Sequence, residues 1–366
     1  MSYPQFRKRA IDYTNRCEAC SVFDVNGDGI LDIVCGGFWY EGPDFRTRRK
    51  ICDIAVQGDY LHDFSDFPMD VNGNGRTDIV TSSWWSGGIF WRENPGNNGE
   101  WTTHKIIDCG SCETPRYFDI DGCGTPEVFP NNPGEPAFFL KLKKDGQGKG
   151  TGEFEKYVIS EEKAGHGMGF GDIDGDGKTE VLLKNGILHM PAGGPCAGLW
   201  TFTQEYNMEE SGVKGPSVPF LAHDVNGDGL MDIIVGAGHG YGLFWFEQGK
   251  DESGKRTWKC HTIDSAWSQY HDMQMADIDG DGELELVTGK RWRAHCGGDP
   301  GDNEAVFICY YKIKDGRFYR HMIDFGAAET GHSGVGIYFW LADLNGNGKL
   351  DLVAPGKEGL YLFLNE

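Results

Sequence analysis

The sequence has no apolar run near the ~18 residues that span a bilayer, and no segment with a helical period. It also lacks a basic excess: 34 Lys and Arg face 56 Asp and Glu, a formal net charge of -22. Nucleic acid and anionic membranes draw proteins through basic patches that release counterions, so neither is an expected partner. No Gly-x-Ser-x-Gly elbow, P-loop, Rossmann fingerprint or Cys-x-x-Cys-His occurs, which removes serine hydrolases, P-loop and dinucleotide enzymes and covalent haem. The first residues, Met1 to Arg7, contain no apolar leader core, and the expectation is a cytoplasmic chain. Its 11 cysteines are odd in number and widely spread, which suits reduced thiols better than a disulfide framework. Cys17-x-x-Cys20 and Cys109-x-x-Cys112 have zinc-like spacing, but ordinary buried thiols are the simpler reading.

Glycine is abundant instead. It fills 55 of 366 positions, roughly double the usual share. A repeat explains it. The pattern Asp-x-Asn/Asp-Gly-x-Gly-x-x-Asp/Glu begins at Asp24, Asp70, Asp119, Asp172, Asp224, Asp277 and Asp343, spaced by 46 to 66 residues. A period of this length signals a propeller, solenoid or array.

Each unit reads as four short strands. One precedes the loop, as in Met273–Ala276, and a β-branched strand follows it, as in Asp232–Val235. An aromatic strand comes next (Leu243–Phe246), then one such as Trp258–Ile263. The last unit runs out after three strands, and the missing fourth stands at the other terminus as Phe6–Ile11. The expectation is one all-β domain over residues 1–366, a seven-bladed β-propeller of four-stranded blades, closed by the N-terminal strand on the C-terminal blade.

Positions 1, 3, 5 and 9 of each loop supply oxygens in a tight glycine turn, the means by which a short loop encloses a hard cation such as Ca²⁺. The strongest sets are Asp172, Asp174, Asp176, Glu180 and Asp277, Asp279, Asp281, Glu285. Next come Asp24, Asn26, Asp28, Asp32 and Asp224, Asn226, Asp228, Asp232. Asp70, Asn72, Asn74, Asp78 and Asp343, Asn345, Asn347, Asp351 carry less charge, and the third loop has Cys123 at position 5. The alternative is that such loops turn only by Asx hydrogen bonds.

These residues resemble the integrin-type FG-GAP or VCBS repeats along the whole chain. The resemblance implies the propeller fold found in integrin heads, several polysaccharide lyases and aldos-2-ulose dehydratase. His271-Asp-Met-Gln-Met-Ala-Asp277-Ile-Asp-Gly-Asp-Gly-Glu is similar to a segment of that dehydratase's propeller.

In such a fold, residues just before the first strand of each blade converge on the channel mouth with residues after the second strand. The first group contains Glu18, His62, Glu113, Arg116, His166, His271 and His332. The second contains Trp39, Trp84, Trp85, Lys184, His189, His239, Tyr241, Lys290, Arg291, Trp292, Arg293, His295 and Lys357. Histidines mixed with Arg, Lys and Tyr suit abstraction of a proton beside a carbonyl or carboxylate, followed by β-elimination from a sugar or oligosaccharide. His166 or His271 is the expected base. Lys290, Arg291 and His295 would hold the carbonyl or carboxylate, and His239 or Tyr241 would act as the acid, with His62 and His332 in the same set. Trp39, Trp84, Trp85, Arg116, Lys184, His189, Trp292 and Arg293 would bind substrate. The insertion Lys290–Glu304 would cover it. A further divalent ion could rest on two or three of the histidines. Two other readings stay open, a non-catalytic carbohydrate-binding propeller and an integrin-like protein-interaction module. A monomer satisfies all three, and the sequence sets no oligomeric state.

Overall fold

The computed structural model describes residues 3–97 and 99–366. The described residues are all β, apart from two three-residue 3₁₀ turns at Ala294–Cys296 and Ala328–Thr330. Five antiparallel sheets have four strands each, and an eight-stranded sheet consists of two further four-stranded units. Those two are joined where Met168–Gly171 pairs in parallel with Phe220–His223. Phe6–Asp12 pairs antiparallel with Gly359–Asn365 and supplies the outer strand of the sheet that the last residues begin. The expected N- and C-terminal strand pairing is present.

One register recurs in every unit. The residue after loop position 9 pairs with the middle of the third strand: Ile33 with Tyr40, Ile79 with Arg92, Val128 with Leu140, Val181 with Leu188, Ile233 with Phe246, Leu286 with Tyr311 and Leu352 with Phe363. Side chains alternate along a strand, so equal register puts equivalent positions of all units on the same side. The second and third strands are buried on both faces, which accounts for their runs of Ile, Val, Leu and aromatic residues.

The first strands of neighbouring units meet. Ser21–Phe23 lies against both Phe67–Met69 and Trp340–Ala342, and Cys20 donates its N–H to the Tyr338 carbonyl at 3.0 Å. The seven loops make Asx turns. In the loop opening at Asp24, that residue's carboxylate accepts from the N–H groups of Gly27 (2.7 Å), Asp28 (3.2 Å) and Gly29 (2.8 Å). Gly27 and Gly29 have φ of +79° and +85°, where a side chain would be strained. Position 9 is buried and ties the loop shut: Asp32 accepts the Val25 N–H at 2.9 Å, and the same bond recurs in all seven loops.

Candidate metal centre

Glu113 and His166 lie a few residues before Arg116–Phe118 and Met168–Gly171, the first strands of their sheets. His271 holds the same place before Met273–Ala276, whereas His239 and Arg291 follow second strands, Asp232–Gly236 and Glu285–Gly289. Both sets of positions expected at the mouth therefore contribute to one cluster.

Glu113, His166, His239 and His271 each direct one ligand-type atom to a common point, all within 4.8 Å of one another. His166 Nε2 is 3.3 Å from Glu113 Oε2 and 3.4 Å from His239 Nε2. His271 Nε2 is 3.5 Å from Glu113 Oε1. His271 is fully buried, and neither of its ring nitrogens has a hydrogen-bond partner. Burying an unpaired polar group costs about 1–3 kcal/mol, and a cation held here would offset that cost. The donor set, three imidazoles and a carboxylate, fits a divalent transition metal better than calcium, which takes oxygens.

The outer atoms of these ligands are also held. His166 Nδ1 lies 2.8 Å from the Pro216 carbonyl, and His239 Nδ1 lies 2.7 Å from Asp299 Oδ2. Such bonds fix the tautomer that leaves Nε2 free to ligate. Burial and the nearby Arg291 charge hold the His271 pKa well below its ordinary value, and burial lowers that of His239 against the pull of Asp299. For Glu113, burial alone would raise the pKa; the Arg291 guanidinium and the bond with His166 prevail and keep it well below the usual carboxylate range. Neutral imidazoles and an ionised carboxylate are the forms that bind metals.

Arg291 is fully buried, donating to Glu18 Oε1 at 2.8 Å and to Glu113 Oε1 at 2.9 Å. It thus joins residues flanking strands of three sheets. Arg116 donates to Asp272 at 2.7 Å, beside His271 in sequence, and lines an apolar cavity of about 670 Å³ with Phe118, Phe170, Met275 and Trp340. On the solvent side, Trp85 packs on His62 (ring centroids 4.9 Å) and on Tyr60 (5.2 Å). The Tyr60 hydroxyl accepts the His295 N–H at 2.6 Å.

Residues 224–288 match the model of the FG-GAP-like repeat. That stretch is similar to an FG-GAP-like repeat. It contributes His239 and His271 to the cluster, together with the loops opening at Asp224 and Asp277. No curated protein matches the chain. Among solved structures it is similar to BBS1N, determined in complex with ARL6DN, with a TM-score of 0.54 and 11% identity over 98% of this chain and 96% of that one. It is also similar to rhamnogalacturonan lyase YesW, with a TM-score of 0.48 and 13% identity over 96% of this chain and 72% of that one. A third is the V. cholerae biofilm matrix protein Bap1, with a TM-score of 0.33 and 17% identity over 84% of this chain and 40% of that one. The first of these likenesses places the fold among β-propeller proteins.

Several residues expected at the mouth lie elsewhere. His189 sits on the acidic loop of its own sheet, 3.3 Å from Asp174, because its strand is short and it falls at the loop end. Trp39 is buried between the first two sheets with Ile79 and Trp101, under the Arg49 guanidinium. His332 pairs with Asp324 at 2.8 Å at the outer strand, and Lys184 with Glu209 at 3.1 Å. Lys290 is buried and donates to Ser268 and the Gly301 carbonyl, pinning the insertion. Arg293 is held by Asp59, at 2.7 Å, and lies over Trp292. Tyr241 donates to Glu304 at 2.7 Å. Asp299, in the insertion, was not singled out from the sequence. Its signal, an acid four residues after His295, has meaning only once His239 is beside it.

Proposed function

We propose that the chain is a closed seven-bladed propeller whose hub holds a divalent metal and acts on a sugar or uronide as a carbon–oxygen lyase or dehydratase. The observation that carries this reading is the buried, unpaired His271 ring facing Glu113, His166 and His239. Structural calcium in some of the acidic loops belongs to the same proposal and is narrowed below. Closure into a ring is supported by the contacts of Ser21–Phe23 with the first strands on both sides and by the N- and C-terminal strand pairing.

When bound, the metal would supply Lewis acidity to a carbonyl or carboxylate oxygen of the substrate. Glu113, His166, His239 and His271 would hold it, and Arg291 keeps Glu113 ionised and in place. The assignment of proton abstraction moves to His295, which is 60% exposed and stacks on His239 at 4.6 Å. Its Nδ1 lies 2.7 Å from Asp299, and this bond raises its pKa against the effect of burial. That leaves Nε2 to take the proton beside the carbonyl. Trp85, with Tyr60 and His62 behind it, offers an exposed aromatic face to sugar C–H bonds.

The test is to load the purified chain with Zn²⁺ or Mn²⁺ and screen keto-sugars and uronides for an enone-absorbing product. The expected result is metal-dependent turnover that His271→Ala abolishes. Sugar binding without product would instead support a non-catalytic carbohydrate-binding propeller.

A further inference from the structure

The acidic loops fall into two classes, and the difference extends to a residue outside the repeat motif. The loops opening at Asp24, Asp70, Asp224 and Asp343 have Asn at position 3 and Asp at position 9. In these, the second oxygen of position 9 accepts a backbone N–H of the third strand, from Gly42, Asn94, Gln248 and Asn365, each at 2.8 Å. The loops opening at Asp119, Asp172 and Asp277 have Asp at position 3 and Glu at position 9. Their extra methylene carries that second oxygen onward to a side chain.

The side chain it meets is basic in every case. By the common register, the third-strand residue next to the loop is Glu41, Glu93, Glu247 and Leu364 in the first class. In the second class it is Lys141, His189 and Lys312. Lys312 Nζ pairs with Asp279 and lies 2.7 Å from Asp281 and 3.9 Å from Glu285. Lys141 pairs with Asp121 and lies 3.2 Å from Glu127. His189 Nδ1 lies 3.3 Å from Asp174 and 3.8 Å from Glu180. In the first class, by contrast, Glu93 and Glu247 accept from the position 3 amides of Asn72 (3.0 Å) and Asn226 (3.3 Å).

Three positions thus change together: Asp, Glu and a base in one class, and Asn, Asp and no base in the other. We infer that the loops opening at Asp119 and Asp277, with Lys141 and Lys312 among their oxygens, are closed by a cation of the chain itself and are not calcium sites. Lys312 and Lys141 stand among the oxygens that an ion would need, and a like charge placed there would repel it. For the loop opening at Asp277, with four acids, this reverses the order that carboxylate number alone suggests. The Asp at position 3 and Glu at position 9 of the second class answer an internal base, and the loops with Asn at position 3 are the ones left for calcium.

The experiment counts calcium bound to the full chain by native mass spectrometry, for the wild type and for Lys312→Met, with thermal unfolding followed in calcium and in chelator. The expected result is one more calcium per chain in Lys312→Met. Its melting temperature should fall in chelator and recover in calcium. A crystal structure of the wild type grown in calcium serves as a second measurement, should that variant fold poorly, and is expected to show Lys312 and Lys141 in place. An ion inside the Asp277 or Asp119 loop, with its lysine displaced, would overturn the inference. So would a Lys312→Met variant with the calcium count and melting temperature of the wild type.

Discussion

Asp299 lies 2.7 Å from Nδ1 of His239, so the insertion Lys290–Glu304 is fastened to a residue of the histidine cluster. Its other oxygen lies 2.7 Å from Nδ1 of His295. Burial would raise the Asp299 pKa, yet the bonds with His239 and His295 hold it below the ordinary carboxylate range. One carboxylate therefore orients a proposed ligand and a proposed base together.

Asp299→Asn should weaken Zn²⁺ binding about 10–100-fold, because the amide no longer anchors the His239 tautomer by charge. Competition with a chromogenic chelator would measure this. An unchanged affinity would show that Asp299 only ties down the insertion.

A buried ion network supports the second sheet. Arg92 lies 3.0 Å from Asp63 and 3.2 Å from Asp66, all three nearly inaccessible. Removing one partner of a buried pair leaves a charge without compensation, at a cost of about 3–5 kcal/mol. Arg92→Ala should lose that much stability in urea unfolding. A loss below 1 kcal/mol would mean that water enters the site and solvates the two aspartates.

Stability should also depend on pH through Glu358. Burial pushes its carboxyl up to about 7, against the Gly334 N–H bond, and its Oε2 is enclosed without a partner. The ordinary glutamate value is about 4.3, so between these limits the folded state holds a proton that the unfolded state has released. The contribution is complete below about 4.3 and is lost as pH rises through about 7. The melting temperature should fall between about pH 4.3 and 7, and Glu358→Gln should flatten that slope. A variant with the wild-type slope would assign the effect to other groups.

His104, His261 and His321, which share one outer-strand position, stack on Trp91, Trp245 and Tyr310 at 4.3 to 4.9 Å, as a repeated structural role requires. His166, His239, His271 and His295 lie together, with ring centroids 4.6 to 5.6 Å apart in successive pairs, and His62 is linked to them through Trp85, Tyr60 and the His295 N–H. His189 and His332 do not, since a shift of one or two residues at a strand end sends a side chain to the loop or the outer strand. Lys141 and Lys312 were legible only by aligning the units on their third strands, where no motif marks them.

The sequence by itself determined the all-β architecture, the seven acidic turns and the pairing of the two termini. Each rests on local information: a period of two in the strands, glycines where φ is positive, and a repeat that counts the units. Tertiary structure alone decided which side chains share a point. Glu113, His166, His239 and His271 come from four different four-stranded units, and Glu18 and Arg291 are 273 residues apart. Proximity across a hub depends on how whole sheets are set against one another, and no local pattern encodes it.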